Sequence, residues 1–219
     1  MRRAILIPVL LIGLTGLTVL WVGTMWLRAQ MQTSDFTADR GILQIVIGND
    51  VLDIPSNFTR KASQRDGETA DRLDLVLLWP DGSGYSEERA PLFRGKAGRS
   101  RRILITLSKR EMAQDMSERL KSVYRELFDG PAQDTGAGLQ LQQLREGSGY
   151  DGEVLAVSRD GNWVARCETD PDNKSATCMR DIHLGQSLTV RYRFARELLD
   201  NWREIEALVT GRITGFLNQ

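Results

Sequence analysis

The sequence predicts an α+β protein in which an N-terminal transmembrane helix precedes a mostly antiparallel sheet with two packed helices, one mid-domain and one C-terminal. Three observations lead to this prediction. The chain begins with a long apolar segment that lacks charged residues. Short apolar or alternating segments follow, separated by turns rich in Gly, Pro and Asp, a pattern typical of strands. Two longer segments carry apolar residues at spacings of three and four, which is the helical period.

The predicted anchor covers residues 4–27, a run of 24 residues without a charged side chain. As a helix it would be about 36 Å long, enough to cross a hydrocarbon core of roughly 30 Å. Trp21 and Trp26 lie near its far end, where aromatic side chains favour the membrane interface. A cleaved signal peptide is the alternative. Its apolar region is usually shorter, and Arg28-Ala29-Gln30 is not a typical cleavage site, so the sequence favours an uncleaved anchor.

The flanking charges predict the topology and hence the domain organisation. Two arginines precede the anchor, so residues 1–3 are expected to form a cytoplasmic stub, although Arg28 on the far side makes the charge rule less decisive. Residues 28–40 would then be a juxtamembrane linker. Residues 41–219 would form one extracytoplasmic α+β domain, most simply in a bacterial periplasm, held at the inner or plasma membrane by a single pass. That length is sufficient for a domain with its own core.

The charge balance argues against a nucleic-acid partner. Residues 1–28 contain three arginines and no acidic residue, so the rest of the chain has three more acidic than basic residues. A mildly acidic domain lacks the electrostatic footprint of a nucleic-acid-binding protein. Arg99, Arg101 and Arg102 do cluster with Lys96, but such a run is more typical of a solvated loop before a strand.

The strand predictions rest on β-branched content, alternation and turn signals. Pro80-Asp81-Gly82 closes one apolar run, and Asp160-Gly161 indicates a hairpin. The predicted strands are residues 42–47, a piece ending at 55, and residues 73–79, 102–107, 139–144, 153–158, 162–166, 179–184 and 188–194.

The mid-domain helix is predicted from a capping box, Ser108-Lys109-Arg110-Glu111. Asp129-Gly130-Pro131 would end it, because glycine readily forms the left-handed cap and proline cannot continue a helix. The helical stripe would consist of Met112, Met116, Leu120, Val123 and Leu127.

The C-terminal helix is predicted over residues 195–217, where Gly211 and Gly215 weaken the last turns. Both helices are expected to cover one face of the sheet. The apolar stripe of this second helix would consist of Phe194, Leu198, Trp202, Ile205, Val209 and Phe216.

Two cysteines flank a polar, turn-forming stretch, and strand-like segments lie outside them. A Cys167–Cys178 disulfide would close the neck of a hairpin and stabilise the fold by roughly 3 kcal/mol. It would persist in an oxidising compartment, in agreement with a translocated domain. The alternatives are a metal pair, which would need two further ligands, or two buried free thiols.

Two short motifs are candidate binding loops, because Gly82-Ser83-Gly84-Tyr85 recurs as Gly147-Ser148-Gly149-Tyr150. The repeat predicts either a duplicated turn, paired loops that present tyrosines, or independent turns of similar chemistry. Gly and Ser supply flexible turns in many proteins, so the last interpretation is slightly favoured.

His183 is the single histidine, and it follows Asp181 by two residues. On a strand the two side chains would share a face, so Asp181 could orient the imidazole of a serine hydrolase. The chain has no Gly-x-Ser-x-Gly nucleophile motif, however, and a lone histidine is more often structural. It also lacks Walker, dinucleotide, zinc-protease and EF-hand motifs, so no cofactor and no metal site is predicted.

The sequence therefore favours a non-enzymatic interaction or accessory module of the cell envelope that binds another envelope protein. Periplasmic immunity to a toxin is one form of this role, and no residue singles it out. The alternatives are an envelope hydrolase that uses His183, Asp181 and an unidentified serine, and a ligand sensor that needs a signalling partner. The oligomeric state stays open.

Overall fold

A computed structural model of the chain describes residues 35–94, 101–169 and 175–218. The predicted anchor, residues 4–27, lies outside the described residues. Within the described ranges, no helix is both long and apolar enough to cross a membrane. Contacts along the chain group Phe36–Gln219 into one unit.

The described part of this unit contains ten strands, three short α-helices and five 3-10 turns. The strands are β1 (Ile42–Ile47), β2 (Asp50–Pro55), β3 (Arg72–Leu78), β4 (Arg102–Lys109), β5 (Phe128–Asp134), β6 (Leu139–Leu144), β7 (Glu153–Ser158), β8 (Val164–Glu168), β9 (Thr177–Leu184) and β10 (Leu188–Ala195). The helices are α1 (Ala90–Phe93), α2 (Arg119–Ser122) and α3 (Trp202–Thr214). The 3-10 turns are Ser56–Phe58, Ala62–Gln64, Glu87–Arg89, Tyr124–Leu127 and Arg196–Asn201.

Eight strands form one antiparallel sheet in the order β3-β4-β10-β9-β8-β7-β6-β5, and β1 and β2 pair as a separate hairpin. The predicted α+β class and mostly antiparallel sheet are confirmed. The bounds of β1, β6 and β7 match the sequence prediction, because turn residues border each of these segments.

One face of the sheet, here called the core face, is covered by the β1–β2 hairpin and by α3. The hairpin buries Ile45, Ile47, Leu52 and Ile54 against it, and α3 buries residues spaced three to four apart. Each such side chain contributes roughly 1.5–3 kcal/mol when it is fully buried. Asp50 also ties the hairpin to the β9–β10 turn, since its carboxylate accepts hydrogen bonds from the amides of Gln186 and Ser187, each 2.7 Å long.

The opposite face, here called the outer face, is covered by two separate apolar clusters. Near β3, Tyr85 and Phe93 pack on Val76 and Leu78, with Phe36 against the two rings. Near β7 and β8, a second cluster contains Met116, Leu120, Tyr124, Leu155 and Val164. The middle of the outer face, over β4 and β10, lies between them.

The predicted helix after Ser108 is wrong. Ser108 and Lys109 belong to β4, where they pair with Thr189 and Leu188 of β10. Strand pairing on both sides of β4 therefore overrides the local capping signal. Only the single turn of α2 and one 3-10 turn form further on, and Met112 of the predicted stripe is 53% exposed.

Two related expectations also fail. The predicted helix end at Asp129-Gly130-Pro131 lies inside β5, where Gly130 has a φ of 66°. The two helices do not share a face of the sheet: α3 packs on the core face, whereas Leu120 of α2 packs with Leu155 and Val164 on the outer face. The C-terminal helix itself is confirmed, although it begins as a 3-10 turn over Arg196–Asn201.

Candidate protein-binding face

The open middle of the outer face forms a depression of about 210 Å³, here called the arginine trough. Strands β4 and β10 form its floor, and the two apolar clusters of the outer face flank it. Its lining side chains are Arg60, Arg72, Leu104, Thr106, Met179, Arg191 and Arg193.

The register of the sheet places these residues together. Asp74 pairs with Thr106, Thr106 with Arg191, and Arg191 with Asp181. Residues paired across antiparallel strands point to the same face, so this polar row crosses four strands of the outer face. The neighbouring row brings Leu104, Arg193 and Met179 together in the same way.

Asp74 lies at one end of the polar row and is buried. Its carboxylate accepts hydrogen bonds from Arg72 and Thr106, and Lys61 Nζ lies 2.8 Å from Oδ2. Burial alone would raise the pKa of this carboxyl, but the hydrogen bonds from Arg72, Lys61 and Thr106 lower it from 3.8 to about 2. Asp74 is therefore ionised at neutral pH and already paired.

Asp181 lies at the other end of the row and is also paired. Both of its oxygens accept from Arg119 Nη2 at 2.9 Å, and the side chains of the pair are only 8% and 11% exposed. Burial would lower the pKa of the Arg119 guanidinium, but hydrogen bonds to Asp181 and Tyr124 raise it. This ion pair holds α2, which contains Arg119, on the outer face of the sheet.

The remaining cations of the trough are not neutralised in this way. Within the ranges that the structure describes, the side chains of Arg60 and Arg191 make no hydrogen bond or ion pair. Arg193 and Arg191 are exposed, and Nη2 of Arg193 lies 3.9 Å from the sulfur of Met179. The trough is thus a positively charged surface on a domain with a net negative charge.

His183 and Asp181 both lie on strand β9. In the row that contains His183, its neighbours are Thr189 of β10 and then Ser108 of β4. Two strand spacings, roughly 10 Å, separate Ser108 from His183. Among the described residues the imidazole of His183 has no hydrogen-bonded partner, and the carboxylate of Asp181 is held by Arg119. Ser108 is too far from His183 to act as its nucleophile at this spacing, and a hydrolytic role for His183 and Asp181 stays a prediction.

The two candidate loops lie at different ends of the sheet. Gly82–Tyr85 follows β3, and Gly147–Tyr150 connects β6 to β7. Tyr85 is completely buried in one outer-face cluster, and Tyr150 packs edge-on against Tyr124 in the other. Each tyrosine thus stabilises one flank of the arginine trough. A binding role for these loops stays a prediction.

The predicted disulfide is confirmed. Cys167 of β8 and Cys178 of β9 are directly paired in register, their sulfurs are 2.01 Å apart, and both side chains are fully buried. The bond joins the neighbouring strands β8 and β9, and both cysteine side chains belong to the core face.

The arginines of the trough were not identified from the sequence. A signal was present, because Arg191 and Arg193 alternate with the buried Tyr192 and Phe194 along β10. Alternation of this kind predicts that both arginines share the solvent-exposed face of a strand. Arg60 and Arg72 could not be added from the sequence, since the strand order that brings them close is a tertiary property.

No protein-family model matches the chain, and no curated protein matches its sequence significantly. A solved structure with a similar fold is Smlt3025, an immunity protein of the Stenotrophomonas maltophilia type IV secretion system. The two chains are 16% identical, with a TM-score of 0.58. The similarity covers 82% of this chain and 94% of that one. At this level of identity the match shows a shared fold.

Proposed function

We propose that the chain is an immunity-type interaction protein that binds a toxic effector protein in the cell envelope and neutralises it. The observation that carries this proposal is the shared fold with Smlt3025, which extends over nearly the whole of that immunity protein. An immunity protein acts by binding, so it needs a stable surface and no catalytic residues.

The proposal includes a location. Residues 4–27 would hold the chain in the inner membrane with the N-terminus in the cytoplasm, and residues 41–219 would face the periplasm. The buried disulfide supports this location, because disulfides persist in oxidising compartments and are rare in the cytosol. The uncharged run of 24 residues is the second support.

A competition experiment tests the function. Cells that lack the gene are grown on a surface with wild-type sibling cells, and survivors are counted. We expect the deletion strain to be inhibited by its siblings and the full chain, supplied in trans, to restore growth. Siblings whose secretion system is disrupted should cause no inhibition. A deletion strain that competes as well as the wild type would contradict the proposal.

The location is tested separately with reporters fused after Gln219. Alkaline phosphatase folds actively only outside the cytoplasm, whereas green fluorescent protein exported by the same route does not fluoresce. We expect phosphatase activity without fluorescence. Fluorescence without phosphatase activity would overturn the proposed topology.

A further inference from the structure

The charge of the arginine trough is the first step of a further inference. The two carboxylates that β3, β4, β9 and β10 direct to the outer face, Asp74 and Asp181, are each held by their own arginine. The positive charge of Arg60, Arg191 and Arg193 is therefore left for a group outside the described residues. Guanidinium groups bind carboxylates in a well-matched, often bidentate geometry.

The shape of the trough is the second step. Leu104 packs against the cluster that contains Tyr85 and Phe93, and Met179 packs against the one that contains Leu120 and Tyr124, so an apolar cluster borders the trough on each side. These four cluster side chains are almost fully buried, so both borders of the trough are well-packed parts of the fold. A depression bordered in this way accommodates a protruding segment better than a flat surface does.

The floor of the trough is the third step. Leu104 of β4 and Met179 of β9 are half-buried and flank Arg193 of β10 on its two sides. Methionine adapts its shape to different partners. Methionine and arginine are both enriched in protein–protein interfaces. The trough thus offers both charge and apolar contact to one segment.

We propose that the arginine trough is the effector-binding surface, and that it takes an acidic segment of the effector protein. Carboxylates of the segment pair with Arg60, Arg191 and Arg193, and its apolar side chains lie on Leu104 and Met179. This inference rests on the proposed immunity function and specifies the partner's chemistry.

The structure favours a protein segment over other anions. A membrane surface presents a broad plane of headgroups, whereas Leu104 and Met179 are half-buried and line a depression. A nucleic acid would meet a domain whose net charge is negative, which disfavours a long polyanion. Both remain distinguishable outcomes of the test below.

The first test compares two charge-reversed variants of the full chain in the competition experiment. Arg191→Glu with Arg193→Glu alters the trough. Arg40→Glu with Arg125→Glu is the matched control, because both arginines are exposed, lie outside the trough and make no ion pair in the described residues. The two double variants carry the same net charge. We expect the control to protect like the wild type and the trough variant to fail.

The second test identifies what enters the trough. A photo-crosslinking benzoylphenylalanine replaces Thr189, which precedes Arg191 by two residues on the same face of β10. We expect a protein adduct in attacked cells, with the crosslink mapped by mass spectrometry to a Glu- or Asp-rich peptide. Its yield should fall at least about tenfold in the Arg191→Glu, Arg193→Glu background. A crosslinker at Arg40 serves as the control position.

The outcomes separate the two proposals. If the wild type protects and the trough variant protects equally, with equal urea-unfolding midpoints, the trough inference is wrong and the immunity function stands. If the wild type gives no protection, the proposed function fails. A Thr189 adduct on phospholipid, together with flotation on phosphatidylglycerol vesicles that the trough variant loses, would replace the effector with the membrane. An adduct on nucleic acid would also overturn the inference.

Discussion

Asp74 and Asp181 lie in one polar row of the outer face, yet their partners differ in a way that has measurable consequences. The cations around Asp74, Arg72 and Lys61, are 60% and 50% exposed. Arg119, which pairs with Asp181, is almost as buried as its partner. Solvent screens the first group of interactions and leaves the second largely unscreened.

For Asp74, we predict a pH-dependent contribution to stability. Its pKa of about 2 in the folded protein is below the ordinary value of 3.8, so the ionised form stabilises the native state. The contribution is fully present above pH 3.8 and is lost as the pH falls towards 2. A pKa unit corresponds to about 1.4 kcal/mol, and after screening of the exposed partners we expect about 1–2 kcal/mol.

Urea unfolding of Asp74→Asn and of the wild type checks this prediction. The variant should be less stable at about pH 7, and the difference should shrink as the pH approaches about 2. Asp71→Asn is the control, because Asp71 is an exposed neighbour outside the sheet, and it should leave stability unchanged. A difference that stays constant over the whole range would show that the carboxylate's charge does not matter.

For Asp181, we predict a large loss on truncation. Asp181→Ala leaves the buried Arg119 guanidinium without its counter-ion, and breaking a buried pair typically costs about 3–5 kcal/mol. Replacing both members, Arg119→Met with Asp181→Leu, removes the unpaired charge and should recover most of the loss. Equal stability of the single and double variants in urea unfolding would rule out this explanation.

At the scale of elements, the sheet could be predicted from the sequence and its helices only in part. Strands such as β7 are bordered by turn residues. Their apolar composition indicates a strand regardless of which strands lie beside them. The capping box at Ser108 was misleading, since β3 and β10 both pair with β4 at Ser108, and β10 extends the pairing through Lys109. A local propensity of a few tenths of a kcal/mol per residue cannot outweigh such pairing.

The candidate site was harder to predict, for a related reason. The arginine trough combines residues from β3, β4 and β10 with Arg60, and these are brought together only by the strand order. Alternation along β10 indicates the direction of Arg191 and Arg193, but it contains no information on which strands lie next to it.

The β8–β9 pair carries a prediction of its own. The Cys167–Cys178 bond spans 11 positions, and in the chain-entropy model closing a loop of this size stabilises the native state by about 3 kcal/mol. We expect the double variant Cys167→Ala with Cys178→Ala to lose about this much in urea unfolding. Reductant should destabilise the wild type and leave the variant unchanged. Two alkylatable thiols in the non-reduced protein would contradict the bond.

At the scale of the whole molecule, contacts along the chain group Phe36–Gln219 into one unit. Phe36, which belongs to the predicted linker of residues 28–40, packs against both Tyr85 and Phe93 and is part of this unit. Its core, on both faces of the sheet, is formed by residues within Phe36–Gln219. Stability and membrane attachment should therefore reside in different segments.

The unit predicts the behaviour of a fragment that spans residues 36–219. Exported to the periplasm behind a cleavable signal peptide, it should form the disulfide and unfold in urea at the midpoint of the detergent-solubilised full chain. It should also leave the membrane fraction, because it lacks residues 4–27. Phe36→Ala in the fragment should lower the midpoint, since it removes a ring from the Tyr85–Phe93 cluster. A fragment that stays in the membrane fraction after a carbonate wash would show that attachment does not depend on the N-terminal run, and the proposed anchor would have to be abandoned.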